Sequence, residues 1–168
     1  MASSALAYTF PEMIAAQEIE VDRWEQWFLK QPSTLLDLHL DLAKGQELRS
    51  ALFHIFLVEV NFGESLNELR DPNNPIDDLF ALPHQTFAEL FAMHRRGLGL
   101  LKQWAGQATP EDAAKLFIRG ELRATRKKCF IQVMEHNVRH FAQLAVALRK
   151  AGHPTDWVHD FIRNPSMP

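Results

Sequence analysis

The 168-residue chain has a single cysteine, no long apolar run and no excess of positive charge. Cys129 has no partner for an internal disulfide, and we expect it to be a small buried core residue rather than a thiolate nucleophile. No segment approaches the ~20 apolar residues of a membrane span, and no signal peptide is evident at the start. These absences predict a cytoplasmic protein without a membrane anchor.

The charge balance gives no reason to expect nucleic acid as a partner. Basic and acidic residues number 18 and 21, a net charge of -3, whereas phosphate binding needs a basic face. Five cations do occur between Arg119 and Lys128. We interpret that segment as the solvated face at the start of a C-terminal helix.

Apolar residues are plentiful and mostly follow the helical period. They make up 46% of the chain, enough for the core of one domain over residues 1–168. The pattern predicts an all-α protein built on four long helices, with a short extra helix and a C-terminal tail packed through Trp157 and Phe161. The predicted helices begin near Pro11, cover Gln46–Leu69, begin near Thr86, cover Pro110–Ile118 and cover Thr125–Lys150.

Three segments lie between or beside these helices. Thr34–Leu42 is predicted to be a packed loop or short helix, Asp71–Pro75 a loop, and Gly152 the C-terminal cap of the last helix. The second helix is apolar on most of its faces, which is typical of burial on more than one side. We therefore expect a homodimer that uses this helix.

The histidine spacing in the last predicted helix points to metal binding. His136 and His140 are four residues apart, so both project from one face, and that face carries the apolar stripe. Two buried imidazoles are costly unless their polar atoms are bonded, and a metal ion can satisfy both. Two core histidines bonded to their neighbours are the alternative.

A third ligand from another helix strengthens this hypothesis. His54 lies at the edge of the apolar face of the second helix, and Asn61 shares its side. His94, within the stripe of the third helix, could be a fourth ligand, a proton-transfer group or a core histidine. Gln143 could hydrogen-bond a ligand imidazole, or could be a partly exposed helical residue. The remaining histidines, His39, His84, His153 and His159, are expected to face solvent.

The motifs Ala-Leu-Phe-His54-Ile-Phe and Glu135-His136-Asn-Val-Arg-His140-Phe-Ala-Gln143-Leu resemble the DinB/YfiT-like superfamily. The ending, Leu148–Gly152 followed by Trp157–Phe161, is also similar to that family. The resemblance implies a four-helix bundle, commonly dimeric, with Zn²⁺ or Ni²⁺ on three histidines at His54, His136 and His140. The chain departs from the family pattern at Arg139, where a histidine is frequent, and at Phe141-Ala142, where Arg-Gly is usual.

Three functions follow from these expectations. The resemblance implies a thiol-dependent S-transferase, in which the metal activates a low-molecular-weight thiol for attack on an electrophilic substrate. A metal-dependent hydrolase at the same site is the second hypothesis, with His94 a better candidate for the general base than Glu59, which projects away from His54. The third is a stress-related protein that binds metal or a partner without turnover.

Overall fold

A computed structural model describes residues 9–42, 47–69, 86–119 and 121–159, and most of these residues are helical. The elements, in chain order, are α1 (Phe10–Phe28), a 3₁₀ turn (Ser33–Asp37), α2 (Leu48–Leu66), α3 (Phe87–Gln107), α4 (Pro110–Ala114), β1 (Leu116–Arg119), β2 (Leu122–Thr125) and α5 (Arg126–Lys150). The predicted predominance of helix is therefore confirmed. The predicted loop Asp71–Pro75, His84 and Phe161 lie outside the described residues.

The helices begin and end at residues suited to those positions. Thr9 and Thr86 each form a reciprocal capping box with the glutamate three residues on, which satisfies amide groups that the first turn leaves without partners. The α5 helix ends at Lys150 and is capped by Gly152, whose φ of 88° lies in the left-handed region. The His153 amide donates to the Leu148 carbonyl and the Gly152 amide to Arg149, which is the bonding of a Schellman motif.

The four long helices pack around aromatic side chains. One core cluster contains Trp24, Phe28, Phe56, Phe91 and Phe141, which come from α1, α2, α3 and α5. A second cluster, toward the start of α5, is built from residues that include Leu101, Trp104, Phe130 and Val133. The contacts join α2 to α3 and α5, and α1 to α3 and α5. Fully buried aromatic rings supply much of the stabilising apolar area.

The backbones of α2 and α3 approach closely at glycine. A Cβ atom placed on Gly97 would lie 2.6 Å from the Glu59 Cβ and 2.9 Å from the Val60 nitrogen. A Cβ on Gly63 would lie 2.7 Å from the Leu100 Cβ. The glycines therefore permit a helix crossing that a larger residue would force apart.

The apolar faces of α2 are largely covered within the chain. Phe53 packs against the first core cluster, and Val58 and Phe62 pack against the second. In the described part of the chain, the large exposed apolar side chains are Leu29, Leu69, Leu116, Ile118, Leu122, Val138, Val146 and Val158. None of these lies in α2, so burial within one chain already explains its composition. The homodimer stays a prediction.

The prediction of a helix through Ile118 is wrong. Helix α4 ends at Ala114, and β1 and β2 form an antiparallel hairpin in which Phe117 pairs with Ala124. Phe117 turns inward against Phe62, with ring centroids 5.8 Å apart, while Leu116 and Ile118 face outward. This alternation has the two-residue period of a strand.

The basic segment is correspondingly not one solvated helix face. Arg119 and Arg123 belong to the hairpin strands, and Arg126 begins α5. The Arg126 side chain is 13% exposed and contacts the carboxylates of Asp112 and Glu68. It therefore ties the start of α5 to the ends of α4 and α2.

The segments outside the helices pack much as predicted. The 3₁₀ turn is followed by Leu38, which is extended, and Leu35, Leu36 and Leu40 are buried. The ring of Trp157 packs edge-on against Trp24, with centroids 5.1 Å apart. The tail therefore packs against α1 through Trp157, as predicted.

His159 does not face solvent as expected. It is half-buried and stacks on Trp24, and its Nδ1 lies 2.5 Å from Glu20 Oε1. Partial burial acts to raise the pKa of Glu20, but hydrogen bonds from His159 and Trp157 outweigh it and hold that pKa below its usual value. His39, by contrast, is exposed as predicted. No helix among the described residues is long and apolar enough to cross a membrane.

Candidate metal centre

Two helices bring three histidines together. His54 lies near the middle of α2, and His136 and His140 lie one turn apart on α5. The α5 face that carries this pair also buries Val133 and Leu144, so the packing that buries the apolar stripe turns both imidazoles toward α2. The side chain of His136 is buried, and those of His54 and His140 are partly buried.

The ring nitrogens are close enough to hold one ion. One nitrogen from each of His54, His136 and His140 lies within 4.8 Å of the others. The Nε2 atoms of His136 and His54 are 3.2 Å apart. Two nitrogens that bind one tetrahedral Zn²⁺ at 2.0–2.1 Å are about 3.3 Å apart. The His54–His136 pair already has that separation, and a ring nitrogen of His140 lies within 4.8 Å of both.

The cluster opens into a cavity of about 400 Å³. Its lining is Leu42, Ala51, His54, Ile55, His136, Arg139, His140, Gln143 and Leu144. Arg139 is the one charged residue among these described lining residues. Leu42, Arg139 and Gln143 also line a larger groove along α5 that reaches Lys150. A small molecule could therefore reach the histidines, and it would meet a positive charge.

His136 is held in its neutral form. Burial lowers the pKa of His136 to about 4, with further lowering by the neighbouring His140 and His54. A neutral imidazole is the form that binds a metal. Near pH 7, His136 therefore needs to lose no proton before binding an ion.

Asn137 contacts the other side of the same ring. Its Oδ1 lies 3.5 Å from His136 Nδ1, at the outer limit of a hydrogen bond. Its Nδ2 donates to Glu59 Oε1. No sequence pattern predicts a role for Asn137, and Glu59 is predicted from the sequence only as a less suitable general base. The one signal available was a carboxylate within the apolar run Phe56–Val60 of α2.

His94 does not belong to the cavity. It is buried between α3 and α2, where its Nδ1 lies 2.7 Å from Glu59 Oε2. Among the described residues, it joins neither the group within metal-binding distance nor the cavity lining. The geometry therefore offers it no place as a fourth ligand or as a proton-transfer group in the cavity. Of the three alternatives, the core histidine bonded to a neighbour fits.

The other predicted site residues have different positions. Gln143 is exposed and lines the cavity. Asn61 is buried two turns beyond His54, outside the lining, where its carbonyl accepts a hydrogen bond from Ser65 Oγ. Cys129 is buried in the second core cluster, and burial raises the pKa of its thiol, as suits a core residue.

The chain matches no protein-family model, and no curated protein matches it with significance.

Proposed function

We propose that the chain is a metal-dependent enzyme of the DinB/YfiT-like kind, a four-helix bundle that holds Zn²⁺ or Ni²⁺ on His54, His136 and His140. The observation that carries the proposal is the convergence of three imidazole nitrogens within 4.8 Å at the wall of an open cavity. Three protein ligands leave a divalent ion at least one free position, which is typical of catalytic rather than structural sites.

The reaction that fits best is transfer of a low-molecular-weight thiol to an electrophile. A bound divalent ion would supply the Lewis acid that favours the thiolate over the thiol near neutral pH. The thiol proton passes to solvent water, the sulfur forms a bond to the electrophilic carbon, and the bond from that carbon to its leaving group breaks, with the electron pair departing on the leaving group.

The charge of the cavity supports an anionic reactant. Neutral histidines leave the ion's charge uncompensated, and Arg139 adds another positive charge at the cavity wall. The described lining residues include no carboxylate to act as a base. These features favour a thiolate over a hydrolytic reaction that depends on a carboxylate base.

The experiment is a conjugation assay on metal-loaded protein, with a panel of low-molecular-weight thiols and alkylating electrophiles and mass spectrometry of the products. The expected result is conjugation that requires metal and is lost in His140→Ala. An Arg139→Gln variant should keep the metal but raise KM for anionic thiols. Metal-loaded protein that conjugates no thiol in the panel would remove the S-transferase proposal.

A further inference from the structure

A buried polar network joins three helices behind the histidine cluster. It consists of Glu59 on α2, His94 on α3 and Asn137 on α5, which are 0%, 3% and 0% exposed, respectively. Glu59 is the one fully buried acidic residue in the described part of the chain. Burial of a carboxylate is costly, even when it is paired, so the energetics of folding alone do not favour its presence here.

Glu59 fixes the orientation of the Asn137 amide. Asn137 Nδ2 donates to Glu59 Oε1, while Glu59 Oε2 faces His94 Nδ1 at 2.7 Å. Burial raises the pKa of Glu59, and the contacts with His94 and Asn137 oppose that rise. The hydrogen between Glu59 Oε2 and His94 Nδ1 can be bonded to either atom, and Glu59 Oε1 is a hydrogen-bond acceptor in both cases. An amide held in this way cannot flip without placing two oxygens against each other.

The held amide in turn selects one tautomer of His136. With Nδ2 bonded to Glu59, the Asn137 oxygen faces His136 Nδ1. An amide oxygen only accepts, so a hydrogen bond across this 3.5 Å contact requires the hydrogen on Nδ1 and leaves Nε2 with its lone pair. Nε2 is the atom that lies 3.2 Å from His54 Nε2 within the cluster. The Asn137 contact therefore keeps a lone pair on the nitrogen that a metal ion would use.

The close helix crossing maintains this arrangement. Gly97 lies one turn after His94 on α3, and its lack of a side chain lets α3 rest directly on the backbone of α2 at Glu59. This brings His94 to the carboxylate. The network is thus built from contacts 35 and 78 residues apart in sequence.

We infer that Asn137 is a positioning residue, which is held by Glu59 and His94 and orients His136 for metal binding. This inference rests on the proposed metal site, although its first test is made on metal-free protein and does not require metal binding. Partners of this kind on metal-binding histidines typically contribute 10- to 100-fold in affinity. A purely structural network would instead affect stability and leave both the tautomer and the affinity unchanged.

The first test measures the tautomer of His136 in metal-free protein by two-bond ¹H–¹⁵N correlation after ¹⁵N-histidine labelling. The comparison uses a His54→Ala background, because His54 Nε2 could by itself bond His136 Nε2. In this background, His136 should be in the Nδ1–H tautomer. Adding Asn137→Leu, which replaces asparagine by a side chain of similar volume, should give a mixture of the Nδ1–H and Nε2–H tautomers. An unchanged tautomer would overturn the inference, even if the protein binds no metal at all.

The second test measures Zn²⁺ affinity by competition with a chromogenic chelator, alongside the melting temperature of each metal-free variant. Asn137→Leu should raise the Kd by about 10- to 100-fold. Glu59→Gln, which can still accept from Asn137 and donate to His94, should keep a Kd near that of wild type. A fall in stability with an unchanged Kd in Asn137→Leu would show a structural network only.

A third variant covers the case in which Asn137→Leu fails to fold. Glu59→Leu keeps Asn137 but removes the acceptor that fixes its amide. It should mix the His136 tautomers and weaken zinc binding, whereas Glu59→Gln should not. Equal His136 tautomer populations and equal zinc affinities in Glu59→Leu and Glu59→Gln would overturn the inference. If wild type binds no zinc, the proposed function fails, and the tautomer comparison still decides this inference.

Discussion

The crossing of α2 and α3 makes a sharp prediction for two glycines on one helix. Alanine at Gly97 would place its Cβ 2.6 Å from the Glu59 Cβ and 3.0 Å from the Glu59 carbonyl carbon. None of these atoms can rotate away, because they belong to the backbone or are directly attached to it. Alanine at Gly99 would meet nothing within 4 Å.

The two substitutions should change the free energy of unfolding in opposite directions. Both gain helix propensity, since glycine costs about 0.5–1 kcal/mol relative to alanine inside a helix. Gly99→Ala should therefore stabilise the protein by that amount. Gly97→Ala must also push α2 and α3 apart by about 1 Å, and overpacking of this kind costs about 1–3 kcal/mol. We expect a net loss of stability for Gly97→Ala.

Thermal and urea denaturation of the two metal-free variants, followed by circular dichroism, would measure the difference. For a chain of this size, 1 kcal/mol shifts the melting temperature by roughly 2–4 °C. Gly99→Ala should melt above wild type and Gly97→Ala below it. If Gly97→Ala is as stable as Gly99→Ala, the helices do not approach as closely as described, and the buried network at Glu59 loses its basis.

Three other predictions concern acid, ion pairing and metal. The pKa of His136 is about 4 in the folded protein and near 6.5 in the unfolded chain, so the unfolded state binds the proton first as the pH falls. The free energy of unfolding should therefore decrease between about pH 6.5 and pH 4, by at most about 3 kcal/mol. In a pH series of urea titrations, His136→Gln should reduce that decrease. Arg126→Met should cost about 0.5–1.5 kcal/mol in urea denaturation, since it removes the ion pair with Asp112, which keeps its contacts with Trp104 and Lys115. The exposed Arg123→Met should change stability by less than about 0.5 kcal/mol. Zinc at 100 times its Kd should add about 2.7 kcal/mol of stability to wild type, and an unchanged melting temperature would contradict a site specific to the folded state.

Features set by neighbouring residues were predictable from the sequence. The caps at Thr86 and Gly152 follow from short-range patterns, and each helix begins or ends there as expected. The pairing of His136 with His140 depends only on the rise of one helical turn. His54 could be added because an imidazole in an otherwise apolar helix needs a polar partner.

Features that depend on distant contacts were not predictable. The strands β1 and β2 are four residues each, too short for their alternation to be distinguished from a helix end. The roles of Glu59 and Asn137 follow from a contact 78 residues apart, and three roles stayed open for His94 because its partner Glu59 lies 35 residues away in the sequence. The covering of α2 by other elements of the same chain also appears only in three dimensions.

The central claim is that His54, His136 and His140 hold one metal ion. The most direct test is elemental mass spectrometry of protein purified without a histidine tag and then incubated with Zn²⁺ or Ni²⁺, for wild type, His136→Ala and the exposed control His39→Ala. The account predicts about one ion per chain in wild type and in His39→Ala, with the ion lost in His136→Ala. No bound ion in wild type after incubation with either metal would contradict it.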